Sequence, residues 1–92
     1  MAKVTIELPS ILAPVTGGVR SLQVEGDTLE EALAALVATH AELEVHLFDE
    51  SGGFRRHVLC FLNDMNTRWS EAKSRPLEDG DTLTFIQAVS GG

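Results

Sequence analysis

The sequence is poor in most of what small proteins use for chemistry or for cross-linking. It has one cysteine, one tryptophan, no tyrosine and three prolines in 92 residues. A lone Cys60 excludes an internal disulfide framework, and its apolar neighbours mark it as a small core hydrophobe rather than a nucleophile. Basic residues are also scarce: seven Lys and Arg against fourteen Asp and Glu leave a net charge of −7. Nucleic-acid binding draws on cations that displace counterions, so that class is disfavoured, and an acidic surface is steered instead towards basic partners. Long hydrophobic runs are missing. The apolar stretches are short, such as residues 58–62, so no membrane span is expected. Met1-Ala2-Lys3-Val4 enters a strand pattern directly, with no apolar leader, which predicts a cytoplasmic protein.

What is present fits one folded unit. The hydrophobic fraction, 43%, is too high for a disordered chain, and 92 residues are near the size at which one core sustains itself. Lys3-Val4-Thr5-Ile6-Glu7-Leu8 alternates polar and apolar, predicting a half-buried strand with Val4, Ile6 and Leu8 inward. Residues 9–18 read as a loop between two prolines and Gly17-Gly18. Residues 19–24 alternate again with Leu22 and Val24 inward, so the first two strands form a hairpin with a long connection. Asp27 or Thr28 then caps a helix, and Thr28 with Glu31 fits a capping box. Leu29, Ala32, Leu33, Leu36 and Val37 recur at helical spacing, and the period fails near His40. Residues 41–48 are ambiguous, with Leu43, Leu47 and Phe48 placed to pack as a short helical turn. Residues 54–62 predict a third strand, 63–66 a turn, 67–69 a short fourth strand, and 82–89 the last strand after a turn at Pro76-Leu77-Glu78-Asp79-Gly80-Asp81. One helix covers one sheet face, an α+β layer arrangement.

The uncovered face is expected to be polar, as Thr5 and Glu7 are. Leu59, Phe61 and Ile86 break that rule. They form an apolar patch if the third and last strands are neighbours, and they are core if the register slips by one residue. No catalytic constellation emerges. His40, His46 and His57 are scattered, and the first two are six apart, which does not suit a metal on one helical face. Asp79 and Asp81 suit turn chemistry better than acid–base work. No serine has a nucleophile-elbow context, and Gly17-Gly18 leads into a strand rather than a phosphate-binding helix. The chain reads as a partner of enzymes and not as an enzyme. The closing residues, Val89-Ser90-Gly91-Gly92, form a weak motif on their own, either an idle end or a working tail.

A β-β-α-β-β order, Asp79-Gly80-Asp81 before the last strand and Gly91-Gly92 after it resemble the ubiquitin-like sulfur carriers: the small subunit of molybdopterin synthase, the thiamine-pathway carrier and the cysteine-biosynthesis carrier. The loop Pro9-Ser10-Ile11-Leu12-Ala13-Pro14-Val15-Thr16-Gly17-Gly18 and the stretch Gly26-Asp27-Thr28-Leu29 are most similar to the cysteine branch. The resemblance implies a β-grasp fold, a mixed four- to five-stranded sheet with one main helix on one face. Residues 1–88 would be the folded domain and 89–92 a flexible tail. It also implies that Gly92 is adenylated by a ubiquitin-activating-type enzyme and converted to a thiocarboxylate. Gly91 would give access to narrow active sites, and Leu59, Phe61, Ile86, Val89 and Ser90 would contact partners. The partners implied are that adenylyltransferase, a pyridoxal-phosphate-dependent cysteine synthase and a metalloprotease that releases cysteine. ATP and Mg, pyridoxal phosphate and metal would reside on those enzymes, with no cofactor bound by this chain. The alternatives are a carrier for molybdopterin, for a thiolated tRNA base or for another metabolite, a ubiquitin-like protein modifier, and a non-catalytic interaction module.

Overall fold

The computed structural model describes residues 1–67 and 74–87. Five strands, β1 (Ala2–Glu7), β2 (Ser21–Gly26), β3 (Val58–Leu62), β4 (Met65–Thr67) and β5 (Thr82–Gln87), form one sheet in the order β2-β1-β5-β3-β4. β1 and β5 run parallel, and the other neighbours are antiparallel. The main helix, α1 (Leu29–Thr39), lies on one face, and a four-residue helix α2 (Glu44–Leu47) follows it. This mixed sheet with a single long helix is the expected β-grasp architecture.

Alternation sets the two faces. Val4 and Ile6 of β1, Val24 of β2, Val58, Cys60 and Leu62 of β3, and Leu83 and Phe85 of β5 are buried under α1. The helix contributes Leu29, Ala32, Leu33 and Leu36, all buried. Each buried leucine stabilises the fold by roughly 1.5–3 kcal/mol relative to exposure. Val37 is only half-buried, at the margin of the stripe.

The helix starts where the sequence directs it. The Glu31 N–H donates to Thr28 Oγ1 at 3.3 Å. The Glu31 carboxylate reaches back to the Asp27 N–H at 2.9 Å, one residue beyond the usual capping-box donor. Just before the cap, Gly26 carries the tightest approach between strand and helix. A Cβ there would sit 2.6 Å from the Ala32 nitrogen and 3.0 Å from the Glu31 carbonyl carbon, both main-chain atoms. Residue 26 must lack a side chain for α1 to lie on the sheet at this depth.

Several segments differ from the sequence expectation. The loop at 9–18 contains a 3-10 helix, Ser10–Thr16, which buries Leu12 and Thr16. The Thr16 hydroxyl donates to the Val19 carbonyl at 2.6 Å, and Gly17 and Gly18 take positive φ to turn the chain into β2. The ambiguous stretch resolves into a 3-10 turn, Ala41–Leu43, followed by α2, with Leu43 and Leu47 fully buried. The third strand is shorter than expected and begins at Val58. Upstream, Phe54 pairs with Phe48 across the Asp49–Gly53 turn and stacks on it at 5.5 Å, so hairpin-like packing replaces sheet pairing there. The reversal after β3 uses only Asn63-Asp64, with Asn63 at φ 55, so Met65 and Asn66 belong to β4 rather than to the turn. Residues 68–69 and 88–89, the expected ends of the fourth and last strands, lie outside the described residues.

The expected turn at Asp79-Gly80-Asp81 ties three strands together. Asp79 Oδ1 accepts the Lys3 N–H at 2.8 Å, and the Gly80 N–H donates to the Lys3 carbonyl at 3.0 Å. Asp81 Oδ2 accepts the Glu78 N–H at 2.9 Å, while Oδ1 accepts Asn63 Nδ2 at 3.1 Å. Asn63 Oδ1 in turn accepts the Thr82 N–H at 3.1 Å. Gly80 sits at φ 93, a backbone state that L side chains avoid.

Two predictions follow from this packing. Gly26→Ala forces β2 and α1 apart, costing about 1–3 kcal/mol. Its Tm should fall by roughly 5–20 °C in thermal denaturation, and an unchanged Tm would contradict the close approach. The Cys60 thiol is fully buried, and burial pushes its pKa up to about 11. Native protein should therefore resist a thiol-specific reagent at neutral pH and react with one equivalent on denaturation; rapid native labelling would place Cys60 outside the core.

Candidate functional site

The face of the sheet away from α1 carries the candidate site. In the β3–β5 ladder, Leu59 stands opposite Ile86 and Phe61 opposite Thr84. Directly opposed Cα partners point their side chains to the same face, so Leu59, Phe61 and Ile86 share the uncovered face. Leu59 and Phe61 are half-buried, and Ile86 is 42% exposed. The alternative of a one-residue slip is thereby removed: Val58, Cys60 and Leu62 point into the core. Across the same face the patch gives way to polar side chains. Asn66 of β4 stands opposite Phe61, and Glu7 of β1 pairs with Thr84 in the parallel ladder. The result is a small apolar centre with a polar surround, the anatomy of a docking surface.

Its position follows from topology. β5 lies between β1 and β3: Leu83 and Thr84 are paired on both sides, and Phe85, Ile86 and Gln87 pair with β3. Gln87 pairs with Val58, one residue before Leu59. The patch therefore lies beside Gln87, the last described residue of β5. Val89, Ser90, Gly91 and Gly92 lie outside the described residues, so the structure places Leu59, Phe61 and Ile86 together and does not describe the other expected site residues.

Among the described residues, no three His, Cys, Asp or Glu side chains are grouped so as to hold a metal ion. His40 Nδ1 lies 3.3 Å from Glu42 Oε1 as a local surface pair. His46 is half-buried and His57 is exposed. Asp79 and Asp81 are engaged in the turn described above. Asp49 is a turn residue as well: the Ser51 hydroxyl and the Ser51 and Gly53 N–H groups donate to Oδ1, and the Ser51 hydroxyl above all holds its carboxyl below the usual range. No helix among the described residues is long and apolar enough to cross a membrane.

Sequence reasoning missed one element of the site's support. The sequence marks Asn63 only as a turn residue, yet its side chain bridges the β3–β4 turn to the start of β5. Its amide accepts from and donates to residues 18–19 positions away, a pairing without a local signature.

Comparison with known proteins agrees with this geometry. The sequence matches the ThiS family over residues 7–92. It is 37% identical over 91 residues to the sulfur carrier protein CysO of Mycobacterium tuberculosis, covering 97% of this chain and 98% of that protein. A chain of the Amycolatopsis orientalis BexX/CysO complex superposes with a TM-score of 0.83 at 35% identity, covering 97% of this chain and 99% of that one. SAMP1 from Haloferax volcanii, a small archaeal modifier protein, superposes with a TM-score of 0.82 at 31% identity, covering 99% and 100%. The β-grasp sheet, the uncovered apolar patch beside the end of β5 and the match across nearly the whole sequence lead to one conclusion: this chain belongs to the ThiS family and is related along its length to the CysO sulfur carriers.

Proposed function

We propose that this chain carries sulfur as a thiocarboxylate on Gly92 and delivers it for cysteine biosynthesis. The observation that carries this reading is the relationship to CysO along nearly the full length, with a family match that runs through Gly92. The chemistry is consistent with the chain's composition. A carboxylate is ionised at neutral pH, its pKa being roughly 3.3–3.7, and is therefore a poor electrophile. In the proposed sequence a ubiquitin-activating-type enzyme uses ATP and Mg to convert the Gly92 carboxylate to an acyl-adenylate, releasing pyrophosphate. A sulfur donor then displaces AMP and leaves the thiocarboxylate. In a pyridoxal-phosphate-dependent synthase the thiocarboxylate sulfur would bond to the β-carbon of an activated serine as its leaving group departs, giving a carrier–cysteine thioester; this adduct rearranges to an amide, and a metalloprotease hydrolyses it to free cysteine and the Gly92 carboxylate.

The roles of this chain's own residues are holding and reaching. Leu59, Phe61 and Ile86 present the apolar surface that a partner covers, and Val89 and Ser90 extend that contact along the tail. Gly91 and Gly92 lack a Cβ, so they fit a channel too narrow for side chains. The ATP, pyridoxal phosphate and metal belong to the partner enzymes. The BexX/CysO complex, in which a similar CysO chain is assembled with another protein, supports docking as part of this reading.

The likeness to SAMP1 supports a second reading, in which the same activated carboxylate is joined to amino groups of target proteins. The two readings share activation and part afterwards.

Intact-mass measurement tests the proposal. With its cognate activating enzyme, ATP, Mg and a sulfur donor, the chain should gain about 16 Da as sulfur replaces one oxygen at the terminal carboxylate. Deleting Gly91-Gly92, or adding one residue after Gly92, should abolish the gain and leave Tm nearly unchanged. No gain with an enzyme that is shown to form the adenylate would overturn the carrier reading. Stable adducts on target lysines without a thiocarboxylate would establish the modifier reading instead.

A further inference from the structure

A groove of about 800 Å³ lies on the opposite side of the molecule from the sheet patch, between α1 and the segment that follows it. Its apolar floor is made by Leu33 and Val37 of α1, Val45 of α2, and Phe48. Val45 is 63% exposed, although it is a large β-branched hydrophobe. Ala34 and Ala38, one turn apart on α1, line the groove as well and leave the helix backbone open to close approach. The carboxylates of Glu30, Glu44, Asp49 and Glu50 stand around this floor. Among the described lining residues the only cation is Arg55, whose Nε donates to the Val45 carbonyl at 2.7 Å. Asp49 is bound into its own turn and keeps its charge there. Four negative charges against one positive, around an apolar floor, define the chemistry of what covers it.

We propose that this groove is a second docking site and that its occupant is a basic amphipathic helix of a partner protein. The helix lays apolar side chains on Val37, Val45 and Phe48, over the buried Leu33, and sets Lys or Arg against Glu30, Glu44 and Glu50. A small molecule fits the groove less well. Ligand pockets enclose their contents and converge polar groups on them, whereas here the polar groups stand on the rim and Val45 is open to solvent. The groove is also close to the end of β5. The Val58 N–H donates to the Arg55 carbonyl at 2.9 Å, and Val58 pairs with Gln87. A partner seated in the groove is thus held near Gln87 of the last strand without covering the Leu59–Phe61–Ile86 face. The site is independent of the tail chemistry proposed above.

The test uses the isolated 15N-labelled full chain and two synthetic helical peptides, one of leucine and lysine and one of leucine and glutamate in the same pattern. The Leu/Lys peptide should bind saturably, shifting the amides of Leu33, Val37, Val45 and Phe48, and the Leu/Glu peptide should not bind. Val45→Lys, and Glu44→Lys combined with Glu50→Lys, should each weaken the Leu/Lys peptide about tenfold or more. All three positions are exposed, so the spectra away from the groove should be unchanged. Shifts centred on Leu59 and Phe61, shifts spread over all the acidic residues, or affinity insensitive to Val45→Lys would each overturn the proposal. The wild-type shift map alone decides between these results if a variant fails to fold.

Discussion

The structure depends on how β5 is fixed between β1 and β3. A parallel pair such as β1–β5 has no tight turn to set its register. Here the Asp79-Gly80-Asp81 turn supplies that constraint. It binds the main chain of Lys3 on one side and the side chain of Asn63 on the other, so the start of β5 is fixed relative to both neighbours. Once the start is fixed, alternation decides the rest. Leu83 and Phe85 go under α1, and Ile86 goes to the open face beside Leu59. A one-residue slip would bury Ile86 and expose Phe85, exchanging core for surface. The carboxylates of this turn are thus engaged by the Lys3 and Glu78 N–H groups and by the Asn63 side-chain amide.

Stability and function draw on different surfaces of the same sheet. One face holds the core under α1, with Gly26 admitting the helix to within main-chain contact. The other leaves Leu59, Phe61 and Ile86 uncovered, where burial against a partner remains available as binding free energy. This separation lets the open face be covered without disturbing the core. The acidic groove between α1 and α2 adds a third surface, on the helical side, so that occupancy of one docking surface does not exclude the other.

Much of this was legible in the sequence because the periods are clean. Val4, Ile6 and Leu8 alternate without interruption, and Leu29, Ala32, Leu33 and Leu36 keep helical spacing up to the cap at Thr28. Val58 to Leu62 is apolar on both faces, so periodicity identified the strand but left its orientation open. The pairing of Leu59 with Ile86 resolves that, and pairing is a long-range fact. The shortened third strand has a similar cause: Phe54 has strand character, but it stacks on Phe48 and meets Phe85 edge-on at 5.8 Å instead of joining the sheet. The 3-10 helix at Ser10–Thr16 was hidden by its prolines, which read as loop punctuation although Pro14 is accommodated inside it. The groove had no linear signature, because Val45 and Ala38 become neighbours of one cavity only after the chain turns at His40.

The central claim is that the uncovered sheet face is a docking surface and carries little of the fold's stability. Phe61→Asp tests it most directly, since it places a charge at the middle of the patch without altering the core. The measurement is the affinity of this variant for the cognate activating enzyme, taken together with its Tm. The account predicts a loss of affinity of about tenfold or more, as expected when an apolar anchor is replaced by a charge, with Tm close to that of the parent. Unaltered affinity, or unfolding of the variant, would contradict it.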